Sequence, residues 1–274
     1  MTGTAQAPAP RRRLVLDQLT VLNLDPLAFL EVAAEAGYDG IGLHLEGLAV
    51  PWSAQYSLLD DGPLRRAFAA RQRALGLALH GTEPFMLGPD ASPEAWRRNL
   101  DVAAELGAAV AGVLSFEPDP ARAAQGLATL NAEAMARGLA LSLEPYFLSQ
   151  WPTMSAALAA ARQAGGTAGV TLDAFHVIRG GEHWTHLAGL DPALVRTVQV
   201  GDGPLAAPED RGFEAVADRM APGEGAFDLA TLWPLLPDGV PIGIEVPSVE
   251  RCAAMGALAW ARLLRERTEA LLAA

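Results

Sequence analysis

The sequence contains no lysine, since all 20 of its Lys and Arg positions are arginine. Schiff-base enzymes need a lysine amine, so lysine-dependent aldolases and pyridoxal-phosphate enzymes are excluded. A P-loop also uses a lysine to bind phosphate groups, and it is excluded for the same reason. The missing residue type therefore removes several enzyme classes before any motif is considered.

Cysteine is nearly absent as well, because Cys252 is the only one in the chain. A single thiol forms neither a disulfide within the chain nor a cysteine-rich zinc site. The alanine-rich helical stretch around Cys252 indicates that this residue is buried for packing.

Long apolar runs are also missing, and no stretch is sufficiently long and apolar to span a membrane. The segment after Arg11–Arg13 resembles a twin-arginine export signal faintly, but polar residues interrupt its apolar region. We therefore expect a cytoplasmic protein without a membrane partner.

Positive charge is outnumbered, since 32 acidic and 20 basic residues give a formal net charge of -12. Such a surface repels phosphate backbones, so we expect a small-molecule substrate and no nucleic-acid partner. With 274 residues, of which 51% are hydrophobic, the chain can form one large domain or two small ones. The sequence is compatible with a homo-oligomer as well as with a monomer.

What is present is an alternation of short β-like runs with longer helical stretches. Helical patterns cover residues 25–40, 92–108, 119–138 and 250–274, and the first three begin at Asp-Pro or Ser-Pro and carry a glycine at or next to their last residue. The β-like runs are mostly continuous apolar sequence, which is typical of parallel strands covered on both faces. These runs are residues 14–20, 40–45, 77–82, 108–116, 139–146, 169–176, 195–202 and 241–248.

Eight such units in about 250 residues predict an α/β fold, a (β/α)₈ TIM barrel, as a single domain over residues 14–274. The alternative is a doubly wound sheet, but no glycine-rich dinucleotide turn follows the first run. The start of the chain is small, polar and proline-bearing, which predicts a disordered tail over residues 1–13.

Four late runs end in acidic or amide side chains: Glu144, Asp173, Gln199 and Glu245. Active sites of TIM barrels lie at the carboxyl ends of the strands, so we expect these side chains to converge. Three carboxylates that meet without a cation are costly to bury, and oxygen ligands favour Mn²⁺ or Mg²⁺ over zinc. The alternative is that each acid caps the next helix.

The motifs SLEP, LDAFH, VQVGD and GIEVP make the chain similar to the xylose isomerase-like TIM-barrel superfamily. Within it, the chain resembles the sugar phosphate isomerase/epimerase group, as the series HVIRGGE, VRTVQVGDGP and RMAPGEGAFD also indicates. The resemblance covers residues 14 to 270. It implies one divalent metal, with Mn²⁺ favoured over Mg²⁺ or Co²⁺, and its ligands would be Glu144, Asp173, Gln199 and Glu245.

The resemblance also implies roles in catalysis and substrate binding. Glu144 and Glu245 would form the acid/base pair, and His176 would hydrogen-bond a substrate oxygen. Arg219, in RMAPG, matches a substrate-binding arginine of ketose epimerases, and Arg179 is a second candidate on the substrate side.

One position departs from the pattern, because many relatives carry a histidine where this chain has Gln199. Glutamine still offers an oxygen to a metal, although it is a weaker ligand. His80 ends the third run and is a further candidate for substrate binding, with a packing histidine as the alternative. His44 ends the second run on the same rim, and Glu46 and Glu83 are lesser candidates there.

These roles predict a metal-dependent isomerase or epimerase of a ketose or related α-hydroxyketone. One glutamate would remove the α-proton to give an enediolate, and the other would return a proton. With a leaving group β to the carbanion, the same first step gives dehydration, so a lyase of a keto-sugar or cyclic keto acid competes with this prediction. A non-catalytic barrel is a third prediction. A DNA-cleaving relative of endonuclease IV needs a histidine-rich multi-metal cluster, which this chain lacks.

Overall fold

The eight predicted strands form a closed barrel in which every neighbouring pair is parallel, in the order β1 to β8. This computed structural model describes residues 12–187 and 189–274. The TIM-barrel prediction is confirmed, and the doubly wound alternative is wrong. The strands are β1 (Leu14–Asp17), β2 (Gly40–Leu43), β3 (Ala78–Leu87), β4 (Val110–Ser115), β5 (Ala140–Leu143), β6 (Gly169–Asp173), β7 (Val195–Val200) and β8 (Ile242–Ile244).

Helices alternate with the strands along the chain. Within the described ranges, no helix combines the length and the apolar character that crossing a membrane requires. The helices are α1 (Pro26–Glu35), α2 (Gly62–Leu75), α3 (Pro93–Leu106), α4 (Pro120–Met135), α5 (Met154–Ala164), α6 (Ala174–Arg179), α7 (Arg211–Ala217), α8 (Leu229–Leu232), α9 (Val249–Met255) and α10 (Ala257–Ala273).

The helix boundaries follow the local chemistry of the sequence. Asp25, Ser92 and Asp119 cap α1, α3 and α4 by accepting hydrogen bonds from backbone amides of the first turn, and a proline follows each of them. The helical stretch over residues 250–274 is divided into α9 and α10 at Gly256, whose φ of +81° breaks the helix.

The amino-terminal end of the described chain is attached to the loop before β8. Arg12 donates hydrogen bonds to the backbone oxygens of Leu236 and Pro237, and Arg13 donates one to Gly239. The tail predicted over residues 1–13 otherwise lies outside the described residues, since these begin at Arg12.

The barrel encloses the carboxyl group of Asp17, which is the last residue of β1. A methyl group at Gly42 would lie 1.9 Å from one carboxyl oxygen, and one at Gly243 would lie 2.2 Å from the other. Glycine is therefore required on both neighbouring strands. Burial raises the pKa of Asp17 to about 8, and the charges of Asp173 and Glu144 act in the same direction.

Candidate active site

Four ionisable side chains meet at the carboxyl ends of β5, β6 and β8. Glu144 follows β5, Asp173 ends β6, His176 lies on α6, and Glu245 follows β8. One ligand atom from each of these residues lies within 4.8 Å of the others. The structure thus brings three of the four predicted ligands together, with His176 beside them. We call these four residues the acidic cluster.

Asp173 has two roles that the sequence presented as alternatives. Its Oδ1 accepts a hydrogen bond of 2.7 Å from the amide of Phe175 and so caps α6. Its Oδ2 lies 3.5 Å from His176 Nε2, within the acidic cluster. Glu144 and Glu245 cap nothing, because Thr153 and Ser248 hold the cap positions of the helices that follow them.

Arg219 inserts its guanidinium into the acidic cluster. Nη1 lies 3.1 Å from Asp173 Oδ2 and 3.0 Å from Glu245 Oε2, and Nη2 lies 3.3 Å from His176 Nε2. The guanidinium also covers the Phe175 ring, 4.3 Å from its centroid. Burial lowers the pKa of Arg219, but the carboxylates overcome this effect and raise it above the usual value. Arg219 is therefore a permanent counter-ion of the cluster.

Gln199 connects the cluster to Glu83, a carboxyl group from β3. Its Nε2 donates hydrogen bonds to Glu245 Oε1 at 3.0 Å and to Glu83 Oε1 at 3.2 Å. Its Oε1 is buried without a hydrogen-bond partner among the described residues. Desolvation raises the pKa of both glutamates well above the usual range, although Arg219 opposes this at Glu245.

A cavity of about 140 Å³ opens onto these groups, and we call it the site cavity. Glu144, His176, Arg219 and Glu245 form its polar side, together with Glu83. Its other walls are mostly apolar, and a bound molecule there would be shielded from water. Those walls include Leu19, Leu48, Pro84, Leu114, Tyr146 and Val216.

Two predicted substrate-binding residues do not line the site cavity. Arg179 is buried against Glu214, with Nε 2.7 Å from Oε2, and packs on the rings of Phe175 and Phe227. His80 lies near the start of β3, where burial and then the charge of Arg13 lower its pKa to about 4. Arg179 is therefore held by its ion pair with Glu214. His80 lies too far towards the amino end of β3 to reach the site cavity.

His44 lines the site cavity from the end of β2. Tyr56 fixes the backbone there, because its single hydroxyl proton is shared between the His44 carbonyl at 2.8 Å and Gln18 Oε1 at 3.0 Å. Burial lowers the pKa of His44 to about 4, so the imidazole is neutral near pH 7. His44 and Glu83, both named as rim candidates from the sequence, thus line the site cavity.

The pKa of His44 predicts a loss of stability in acid. The unfolded chain binds a proton near the ordinary pKa of 6.5, whereas the folded chain does so only near 4, so stability falls as the pH drops between these values. We expect His44→Gln to reduce the loss of unfolding free energy between pH 7 and pH 5 by about 2 kcal/mol. Urea unfolding at both pH values measures this difference.

The control for that measurement is His183→Gln, which removes an exposed histidine from a loop. Its loss of stability between the two pH values should match that of the unmodified protein. Equal losses in all three proteins would show that His44 is not protected from protonation.

The donor atoms of the site suit a divalent metal. Glu144, Asp173 and Glu245 supply carboxylate oxygens, whereas Gln199 presents its Nε2 to Glu245 and would have to turn its amide over to offer Oε1. His176 adds a nitrogen within the same 4.8 Å. Oxygen-rich sets of this kind hold Mn²⁺ and Mg²⁺, and the nitrogen extends the range to Co²⁺ and zinc.

A family model described as the xylose isomerase-like TIM barrel matches residues 30–271. The chain belongs to this family. The resemblance inferred from the strand-end motifs is thereby confirmed. Solved structures of the xylose isomerase-like superfamily include epimerases, whereas no curated protein sequence matches the chain significantly.

Three solved structures illustrate the fold similarity over about the whole chain. The IolI protein with a zinc atom has a TM-score of 0.77 at 16% identity, covering 95% of this chain and 98% of that one. A D-psicose 3-epimerase crystallised with D-fructose has a TM-score of 0.71 at 14% identity, covering 96% and 100%.

A xylose isomerase-like TIM barrel fused to 4-hydroxyphenylpyruvate dioxygenase has a TM-score of 0.73 at 22% identity. The match covers 95% of this chain but only 45% of the fusion protein. At such identities, the three similarities show the fold alone.

Proposed function

We propose that the protein is a divalent-metal-dependent isomerase or epimerase of a ketose or related α-hydroxyketone. The observation that carries this proposal is the meeting of Glu144 and Glu245 with Asp173 and His176 within 4.8 Å, at a cavity of about 140 Å³. Epimerases with the same fold support it. The oxygen-rich donor set favours Mn²⁺, with Mg²⁺ and Co²⁺ as alternatives.

Glu144, Asp173, Glu245 and the Oε1 of Gln199 would hold the metal. When bound, such an ion polarises a carbonyl group and stabilises negative charge on its oxygen. Glu83 and Glu245 both accept from the Nε2 of Gln199, so its amide would have to turn over to present Oε1 to the ion.

The two glutamates would move the proton. They come from β5 and β8, with β6 and β7 between them, so their carboxyl groups reach the site cavity from different strands. One carboxylate removes the α-proton, and the other returns a proton to the opposite face or to the neighbouring carbon. The first outcome is an epimer and the second is an aldose–ketose isomer.

His176 and Arg219 would orient the substrate. His176 Nε2 lies 3.1 Å from Glu144 Oε1, and both residues line the site cavity. Hydrogen bonds from His176 and Arg219 to substrate hydroxyl or carbonyl oxygens would fix which C–H bond faces the base.

The apolar walls favour a second candidate, a lyase that dehydrates a keto-sugar or a cyclic keto acid. Leu48, Pro84 and Leu114 offer contact area rather than hydrogen bonds, and a ring presents an apolar face to such walls. The first proton transfer is the same, and a leaving hydroxyl then departs. A new enone absorbance in the product distinguishes the lyase from the epimerase.

The metal site is tested by Asp173→Asn, since asparagine keeps an oxygen to cap α6 but removes the charge. We expect about one Mn²⁺ per chain in the unmodified protein after loading and dialysis, and a loss of at least about tenfold in metal affinity in the variant. Elemental mass spectrometry measures the bound metal.

Asp90→Asn, at an exposed position outside the site, is the matched control and should keep its metal. If the unmodified protein holds no ion and Mn²⁺ does not raise its Tm, the metal-dependent function is overturned. The acids would then serve as partners of Arg219.

A further inference from the structure

A second cavity, of about 380 Å³, lies beside the site cavity at the same end of the barrel. We call it the outer cavity. Three segments line it: residues 19, 20, 22 and 23 after β1, residues 51–54 before α2, and residues 247–249, 252 and 253 at the start of α9. Leu19 and Val216 line both cavities, and both are half-buried. The side chains of Leu19 and Val216 therefore form a shared boundary between the two spaces.

The polar side chains of the outer cavity are mostly engaged within the chain. The hydroxyl groups of Thr20 and Ser53 each donate to a backbone oxygen and accept from a backbone amide. Asn23 Oδ1 accepts from the thiol of Cys252 at 3.6 Å. Apart from Trp52 Nε1, which is buried without a hydrogen-bond partner among the described residues, these groups leave a ligand mainly contact area to gain, which favours an uncharged, largely apolar group.

Trp52 gives the outer cavity an aromatic wall. Phe213 packs edge-on against it, with ring centroids 6.0 Å apart and planes at 81°. Pro51 and Pro247 add further rigid apolar surface. Tryptophan faces bind aryl rings well, because offset and edge-to-face contacts add to the burial of area. No arginine or histidine lies among the described residues that line this cavity, so a phosphate group would have no cation there.

The sizes of the two cavities point to a substrate that uses both. Ligand pockets usually hold about 300–1,000 Å³, and the site cavity alone, at about 140 Å³, has room for little more than the reacting carbons. The outer cavity, at about 380 Å³, falls within that range. The remote part of a larger substrate would therefore lie next to Trp52.

We propose that the outer cavity is a subsite for an aryl substituent of the substrate. The subsite rests on the proposed function. The hydroxyketone end of the substrate would lie at Glu144 and Glu245, and the linking carbons would pass between Leu19 and Val216. The substrate class is thus an aryl-substituted α-hydroxyketone rather than a phosphorylated or fully hydroxylated chain.

Two probes test the subsite with the Mn²⁺-loaded protein: 1-hydroxy-4-phenylbutan-2-one and 1-hydroxybutan-2-one, which differ by the phenyl ring. Proton NMR in D₂O measures exchange of the protons next to the carbonyl group. Because a buried ring adds contact area, we expect the phenyl probe to show a KM about 10- to 100-fold lower. Equal KM values for the two probes would overturn the subsite, while exchange itself would leave the proposed function standing.

A matched pair of variants locates the effect in the outer cavity. Ala253→Trp places an indole in that cavity, whereas Ala254→Trp places one on the same helix outside it; both positions are exposed. We expect Ala253→Trp to bring the ratio of the two KM values close to one and Ala254→Trp to leave it unchanged. A ratio that is the same in both variants would overturn the subsite.

Cys252 supplies a readout that does not depend on catalysis, because it lines the outer cavity and is the only cysteine. Burial raises the pKa of its thiol, so alkylation by iodoacetamide is followed by mass spectrometry at alkaline pH. At a concentration ten times its Kd, the phenyl probe should slow the alkylation of Cys252 about tenfold. The smaller probe should not slow it. If neither probe exchanges its protons, the proposed function fails. Protection of Cys252 then supports the subsite, and its absence overturns it.

Discussion

Glu245→Gln is expected to slow the exchange of protons next to the carbonyl group of hydroxyacetone by about a thousandfold. Glutamine has nearly the same shape and can still contact Gln199 and Arg219, but its amide cannot take up the α-proton. Glu245 is only 4% exposed, so water has little access to replace the lost base. The rate is measured by NMR in D₂O with Mn²⁺ present.

The matched control is Glu250→Gln, which makes the same change of charge five residues later, at an exposed position on α9. Its rate should equal that of the unmodified protein. Because Glu245 is also a proposed metal ligand, the rate is expressed per bound metal. A Glu245→Gln variant that keeps its metal and more than about a tenth of the rate would show that Glu245 is not part of the acid/base pair.

Arg219→Met is expected to lower the free energy of unfolding by about 3–5 kcal/mol in the absence of metal. The guanidinium lies 3.1 Å from Asp173 Oδ2 and 3.0 Å from Glu245 Oε2, and all three side chains are at most 5% exposed. Removing it leaves buried carboxylates without a counter-ion. Urea unfolding in the presence of a chelator measures the loss.

Mn²⁺ should restore part of this stability, because a divalent ion neutralises the same carboxylates. The rise in Tm on adding Mn²⁺ is therefore expected to be larger in Arg219→Met than in the unmodified protein. Arg179→Met is the matched control, since Arg179 is equally buried and pairs with Glu214 outside the acidic cluster. It should be destabilised but gain no extra response to Mn²⁺. Equal responses in both variants would show that the metal and Arg219 do not share the same carboxylates.

The barrel could be predicted from the sequence because parallel strands covered on both faces leave continuous apolar runs. The limits of β3 were harder to predict. The predicted run ends at residue 82, with His80 near its end, whereas β3 continues to Leu87 with a shift of register between Thr82 and Phe85. The carboxyl end of β3 therefore lies further along the chain, and Glu83 reaches the site cavity where His80 does not.

The acidic cluster was predictable for a related reason, because an acidic residue at the end of an apolar run has few structural explanations. Glu144, Asp173 and Glu245 were found in this way. The surroundings of Arg179 could not be predicted, since its partner Glu214 lies 35 residues away and no local pattern connects them. The contact between α6 and α7 therefore decides that Arg219, and not Arg179, lines the site cavity.

The enclosed carboxyl group of Asp17 limits the order in which this barrel can change during evolution. An alanine at position 42 or 243 would collide with that group, so either substitution requires a shorter residue at position 17 first. The reverse order passes through an overpacked intermediate, which is destabilising. Homologous sequences should therefore show covariation among these three positions, with alanine at 42 or 243 only where position 17 carries a side chain shorter than aspartate or asparagine.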